Sequence, residues 1–141
     1  MTITFLDANV LVYAFLKTKR KLEQHETKIK DAAKSIITRI NTGEETATSV
    51  VHFSEVCNIL ENYLPPEEAF AIEKDLLFQD SISIKTVTEE DYLKALATAE
   101  DQQVGTNDAL AYVLMKESGL NRIYSFDKDF DKFKDIKRIE E

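Results

Sequence analysis

Short apolar runs rich in β-branched residues alternate along the whole chain with stretches of helical periodicity, and no two short runs meet across a tight turn. Strands separated by helices pair in parallel, and the helices then cover both faces of the sheet. The expected fold is α/β, with three layers built on a mostly parallel twisted sheet. At 141 residues the chain suits one domain over positions 1–141 with a sizeable core.

The first run, residues 2–6, stops at Asp7 and reads as a buried strand ending in an acid. Residues 10–16 suit a short helix, and Leu22, Ile29, Ala33, Ile36, Ile37 and Ile40 then recur at helical spacing until Gly43. Residues 46–50 form the next strand. Val56, Ile59, Leu60 and Tyr63 make one helical stripe, which Pro65 and Pro66 terminate. A helix from Glu67 carries Phe70, Ile72, Leu76 and Leu77 as its apolar positions. Ile82, Ile84 and Val87 alternate as in a strand, and Thr88 with Asp91 caps a helix reaching about Gln103. Residues 108–115 are apolar on nearly every side after Asp108, which predicts a buried helix. A strand over 123–126, a short helix over 129–133 and a strand over 136–139 complete the chain.

Four acids stand out by position. Asp7 and Asp127 each follow an apolar strand and precede a turn into a helix, at the sheet edge where ligands bind in such folds. Taken singly, either is also an ordinary helix cap. Glu55 flanks the stripe of Val56, Ile59 and Tyr63, where a surface helix places no acid. Asp108 opens the most apolar helix, and the blander reading of it is an acid at the helix's positive end, after Thr106 or Asn107 as cap. Brought to one crevice, the four would raise one another's pKa unless cations offset them, and no lysine or arginine is expected to do so. Hard oxygen ligands suit Mg²⁺ or Mn²⁺, and the lack of a Cys and His cluster among them argues against zinc. Water on such a cation can attack a phosphodiester, so the implied chemistry is hydrolysis at phosphorus.

These residues resemble the PIN-domain family, and in size and layout the chain is similar to a VapC-type toxin ribonuclease. Phe5-Leu6-Asp7-Ala8-Asn9-Val10-Leu11 resembles the family's opening strand with its Asp-x-Asn signature, and Ser54-Glu55-Val56 resembles the second motif. Asp108-Ala109-Leu110-Ala111 resembles the third, and Tyr124-Ser125-Phe126-Asp127-Lys128-Asp129-Phe130 the last. The resemblance implies that Asp7, Glu55, Asp108 and Asp127 are catalytic and carry the metal, with Asn9 and Ser125 orienting the carboxylates. Asp129 or Asp131 also reaches the metal if the turn after the last strand is longer. It further implies an RNA substrate, a homodimer and, in toxin members, a separately encoded antitoxin protein.

The net charge of −8 argues against a protein that blankets phosphates with Lys and Arg, but not against a nuclease whose bound cations reverse the local sign. The basic run Lys17, Lys19, Arg20 and Lys21 either grips RNA or is a solvated surface, the commoner case. His25 and His52 are expected to be surface or packing residues, Tyr112 and Met115 core, and Cys57 a structural thiol. No stretch resembles a signal or membrane segment, which makes cytoplasm the simplest compartment. An EF-hand beginning at Asp127 fails, because Lys132 and Arg138 stand where Gly and Glu are required. An aspartyl phosphatase would want Asp-x-Asp where Asn9 stands. The rivals that remain are an inactive PIN-type binding module and a housekeeping RNA-processing nuclease.

Overall fold

A computed structural model describes residues 2–16 and 20–141. Its elements are β1 (Thr4–Leu6), α1 (Ala8–Phe15), α2 (Gln24–Asn41), β2 (Thr46–Ser49), α3 (Val50–Tyr63), α4 (Pro66–Leu77), β3 (Ile82–Lys85), α5 (Glu89–Gln102), α6 (Thr106–Glu117), β4 (Arg122–Tyr124), a 3₁₀ turn (Lys128–Lys132) and β5 (Lys137–Ile139). The strands form one sheet in the order β3-β2-β1-β4-β5, and every neighbouring pair runs parallel.

Successive strand residues face opposite sides, and this pleat sorts the core into two halves. Phe5 packs with Ala95 and Ala99 of α5, the buried side of α6, and Phe130 and Phe133. Leu6, its neighbour, packs with Val10 and Leu11 of α1, Ile36 and Ile40 of α2, Val56 and Leu60 of α3, and Leu76 of α4. Helices therefore cover both faces, in the expected three layers. Met115 is fully buried and belongs to the core.

Several expectations need adjustment. β4 stops at Tyr124, so Ser125 rather than Asp127 is the residue directly after the strand. α6 begins at Thr106 with Gly105 as its cap, so neither Thr106 nor Asn107 caps it. Tyr63, Phe70 and Leu77 lie on the surface, because α3 and α4 turn Val56, Leu60, Ala69 and Leu76 inward instead. Tyr112 is only partly buried: its ring stacks on Phe133 with centroids 4.1 Å apart, and its hydroxyl turns outward to Asp135.

The winding of the sheet decides where a site can form. The chain moves outward from β1 through β2 to β3, then returns to lay β4 and β5 on the opposite side of β1. Loops leaving β1 and β4 consequently diverge and open a crevice at the strands' carboxyl ends. Among the described residues, no helix is long and apolar enough to cross a membrane.

Candidate active site

Asp7 is the first residue beyond β1 and the N-cap of α1, where its Oδ1 accepts the Ala8 N–H at 2.9 Å. The register pairs Leu6 with Tyr124, which brings Ser125 alongside Asp7. The Ser125 hydroxyl donates to Asp7 Oδ2 at 2.7 Å and accepts the Asp127 N–H at 3.0 Å. Asn9 reaches Ser125 Oγ at 3.5 Å and accepts the Phe126 N–H at 3.4 Å, so it steadies the turn beneath the acids rather than an acid itself.

Asp127 caps the 3₁₀ turn by accepting the Asp129 N–H at 2.9 Å. That tight turn folds Asp129 back toward the crevice. Asp108, in the first turn of α6, completes the group: carboxylate oxygens of Asp108, Asp127 and Asp129 all lie within 4.8 Å of one another. Asp131 leaves the cluster, since both its oxygens engage the Arg138 guanidinium at 3.0 and 3.2 Å. Of the two extra acids left open by the sequence, geometry brings in Asp129 and sends Asp131 to an ion pair.

Electrostatics records the crowding. Asp108 is pushed up to about 8, first by burial, then by the charges of Asp7 and Asp127, a hydrogen bond to Asp127 and the charge of Asp129. Asp7 rises to about 6, chiefly through burial, against the lowering effect of the Ser125 and Ala8 hydrogen bonds; Glu55 and Asp127 raise it further. Burial also raises Glu55, half-buried on α3. Glu55 thus faces the same crevice and acts on Asp7, although its oxygens stand outside the tight group of three. Among the described residues, the acid of the group that has an ion pair is Asp129, whose Oδ1 lies 3.7 Å from Lys132 Nζ.

Such a set fits a hard divalent cation. Its donors are carboxylate oxygens without sulfur or imidazole, and an Asp108 carboxyl pushed up first by burial and then by the surrounding acids marks a crevice crowded with negative charge.

The other singled-out residues lie elsewhere. His52 is buried, with Nδ1 2.5 Å from Ser49 Oγ and Nε2 3.1 Å from the Asn107 carbonyl oxygen; burial pushes it down to about 4, so the ring is neutral. Of the two expected places, surface or packing, His52 takes the packed one, and nothing in the sequence signals its two bonds. His25 is exposed beside Glu23. Cys57 is a half-buried thiol pushed up to about 12 by burial and by Glu73 and Glu61, which makes it unreactive. Arg20 forks onto Glu26 at 2.9 and 2.6 Å, and Lys17 and Lys19 lie outside the described residues.

Comparison with solved structures finds the same architecture. VapC20 of Mycobacterium tuberculosis, described as a sarcin-ricin loop cleaving toxin, superposes with a TM-score of 0.68 at 18% identity, covering 91% of this chain and 92% of that one. VapBC2 of Rickettsia felis, solved with a DNA fragment of its promoter, gives 0.67 at 13% identity, with 98% of each chain covered. A toxin–antitoxin complex from Klebsiella pneumoniae gives 0.65 at 13% identity, with 94% of each covered. No curated protein sequence matches the chain. The PIN domain profile, however, matches residues 4–136, nearly the entire fold described above. The chain belongs to the PIN domain family.

Proposed function

We propose that this chain is a Mg²⁺- or Mn²⁺-dependent endoribonuclease, folded as a single domain over residues 1–141, in which Asp7, Glu55, Asp108 and Asp127 are the catalytic and metal-binding residues and Asp129 joins them. The observation that carries the reading is the gathering of Asp108, Asp127 and Asp129 carboxylate oxygens within 4.8 Å of one another, in a crevice where burial and neighbouring acids push Asp108 upward. That arrangement disfavours the empty crevice and favours a cation within it.

When bound, the divalent ion supplies charge neutralisation for a phosphodiester and a water acidic enough to attack it. The chain's own residues do the rest. Asp108, Asp127 and Asp129 offer the clustered oxygens, and Asp108 gives up its proton as the site fills. Asp7 is fixed at the crevice floor by Ser125 and Ala8, so its carboxylate orientation does not relax when charge arrives. Glu55 approaches Asp7 from α3, outside the group of three, and is placed to orient water.

The partners that follow are RNA as substrate, an antitoxin protein and a second copy of the chain. Support for an antitoxin is the presence of toxin–antitoxin assemblies among the similar structures. Support for a homodimer is the exposed apolar surface of Tyr63, Phe70, Leu77 and Phe78. The same reading makes the protein the toxin of its pair, acting in the cytoplasm.

Purified protein and its Asp108→Asn variant, incubated with a mixed RNA pool with and without Mn²⁺, test this directly by mapping of new RNA ends. Metal-dependent ends from the wild type alone are expected. Equal cleavage by both chains would remove Asp108 from the mechanism, and RNA binding without cleavage would favour an inactive binding module.

A further inference from the structure

Glu55 and Asp108 sit on different helices, α3 and α6; α3 buries Val56 and Leu60 on the Leu6 face, but its first turn reaches the Phe5 face that α6 covers. Both acids flank Asp7, Glu55 from α3 and Asp108 from α6, each close enough to interact with it electrostatically. Holding both starts at a fixed separation needs a link between them.

His52 has the placement for that link. It lies one turn before Glu55 and is 1% exposed, with its ring edge-on to Phe5 at a centroid distance of 5.4 Å. Nε2 faces the carbonyl oxygen of Asn107 at 3.1 Å, so Nε2 carries the proton and donates it. Nδ1 is then the unprotonated nitrogen and accepts the Ser49 hydroxyl at 2.5 Å. Ser49 Oγ in turn accepts the His52 N–H at 3.1 Å as the N-cap of α3. A continuous chain of bonds therefore runs from the end of β2, through the first turn of α3, to the peptide group that joins Asn107 to Asp108. Among the described residues, this is the hydrogen bond that ties α3 to α6.

We propose that His52 is a positioning residue, whose imidazole bridges Ser49 and the Asn107 carbonyl to hold Glu55 and Asp108 at the separation a divalent cation requires. The proposal rests on the metal-dependent reading of the acidic crevice. His52 touches neither cation nor RNA; it acts through the backbone immediately before Asp108.

Three substitutions separate bridging from space filling. His52→Phe keeps the ring volume against Phe5 and removes both polar contacts. His52→Asn offers an amide near the Nδ1 position and loses the reach to Asn107. His52→Gln places an amide N–H near the Nε2 position and restores the donor to Asn107. Mn²⁺ affinity, measured by electron paramagnetic resonance and titration calorimetry at a temperature where each variant is folded, is the readout. An approximately tenfold weakening is expected in His52→Phe and His52→Asn, with recovery toward wild type in His52→Gln. Packing alone would rank His52→Phe nearest to wild type. The bridge is overturned if His52→Phe or His52→Asn binds Mn²⁺ as tightly as the wild type, or if His52→Gln is as weak as they are. Failure of the underlying reading looks different: the wild-type chain itself then binds no Mn²⁺, or Asp108→Asn binds it unchanged.

Discussion

The Ser125 hydroxyl and the Asp7 carboxylate meet at 2.7 Å across the ends of two adjacent parallel strands, although they stand 118 positions apart in the chain. Ser125 has a single proton and gives it to Asp7, while its lone pairs receive the Asp127 N–H and the Asn9 amide. Ser125→Ala strips all three groups of their partner at once. Stability is expected to fall by about 1–3 kcal/mol in urea unfolding, the usual cost of stranding buried polar groups. Metal affinity is expected to fall roughly 10- to 100-fold. A Ser125→Ala protein with unchanged Mn²⁺ binding would show that Asp7 needs no such anchor.

The metal-free protein is expected to lose stability as the solution becomes more alkaline. Asp108 titrates near 8 and Asp7 near 6 in the folded chain, against 3.8 for a free aspartate. Between those values the folded state holds more protons than the unfolded one, so the stabilisation present at acid pH disappears as pH rises through 6 and 8. Asp91, Asp131 and Asp135 are shifted downward and exert their effect below this window. His52 is held down to about 4, against 6.5 in the unfolded chain, and works the opposite way below about pH 6.5. Calorimetric melting in EDTA between about pH 7 and about pH 9 therefore checks the sign. Melting temperatures that climbed over that interval would contradict the crowded-acid account, and added Mn²⁺ is expected to reverse the trend.

Two isosteric substitutions are expected to share a loss of cleavage and to differ in stability. Asp108→Asn removes charge from the most crowded carboxyl and stabilises the metal-free chain at alkaline pH. Asp7→Asn relieves repulsion too, but its amide presents a donor to Ser125, whose oxygen already receives two. The Ser125 proton then loses its acceptor, and the gain is cancelled. Side-by-side melting curves in EDTA distinguish the pair.

Asp129 and Asp131 are close in sequence and are expected to behave oppositely. Asp129→Asn removes an oxygen from the group of three and is expected to weaken Mn²⁺ binding and cleavage strongly. Asp131→Asn weakens a fork in which Asp131 is exposed and Arg138 keeps its Glu140 partner, and it is expected to cost about 1 kcal/mol of stability, with cleavage retained. RNA cleavage assays across a Mn²⁺ series test both, and a reversed order would place the wrong acid in the cluster.

Much of this architecture was legible in the sequence because its cues are local. The Thr88 and Asp91 capping box, the paired prolines after Tyr63 and the buried stripe of α2 each announce their element. Asp7 was legible too, as an acid closing an apolar strand. What escaped depends on three-dimensional closure. The 3₁₀ turn that selects Asp129 over Asp131 is decided by Arg138, contributed by the following strand. The two bonds of His52 require α3 and α6 to be docked first. Tyr63, Phe70 and Leu77 share a helical repeat with core residues, and periodicity alone cannot say which flank of a stripe the sheet will cover.

The reversal of winding at β1 has a consequence for the chain as it is made. The acidic group draws on residues from Asp7, in the loop after β1, to Asp129, in the 3₁₀ turn after β4, so no centre is assembled until both of these central strands have been made and paired. A cation held by the finished centre would therefore reinforce the global fold rather than any fragment of it.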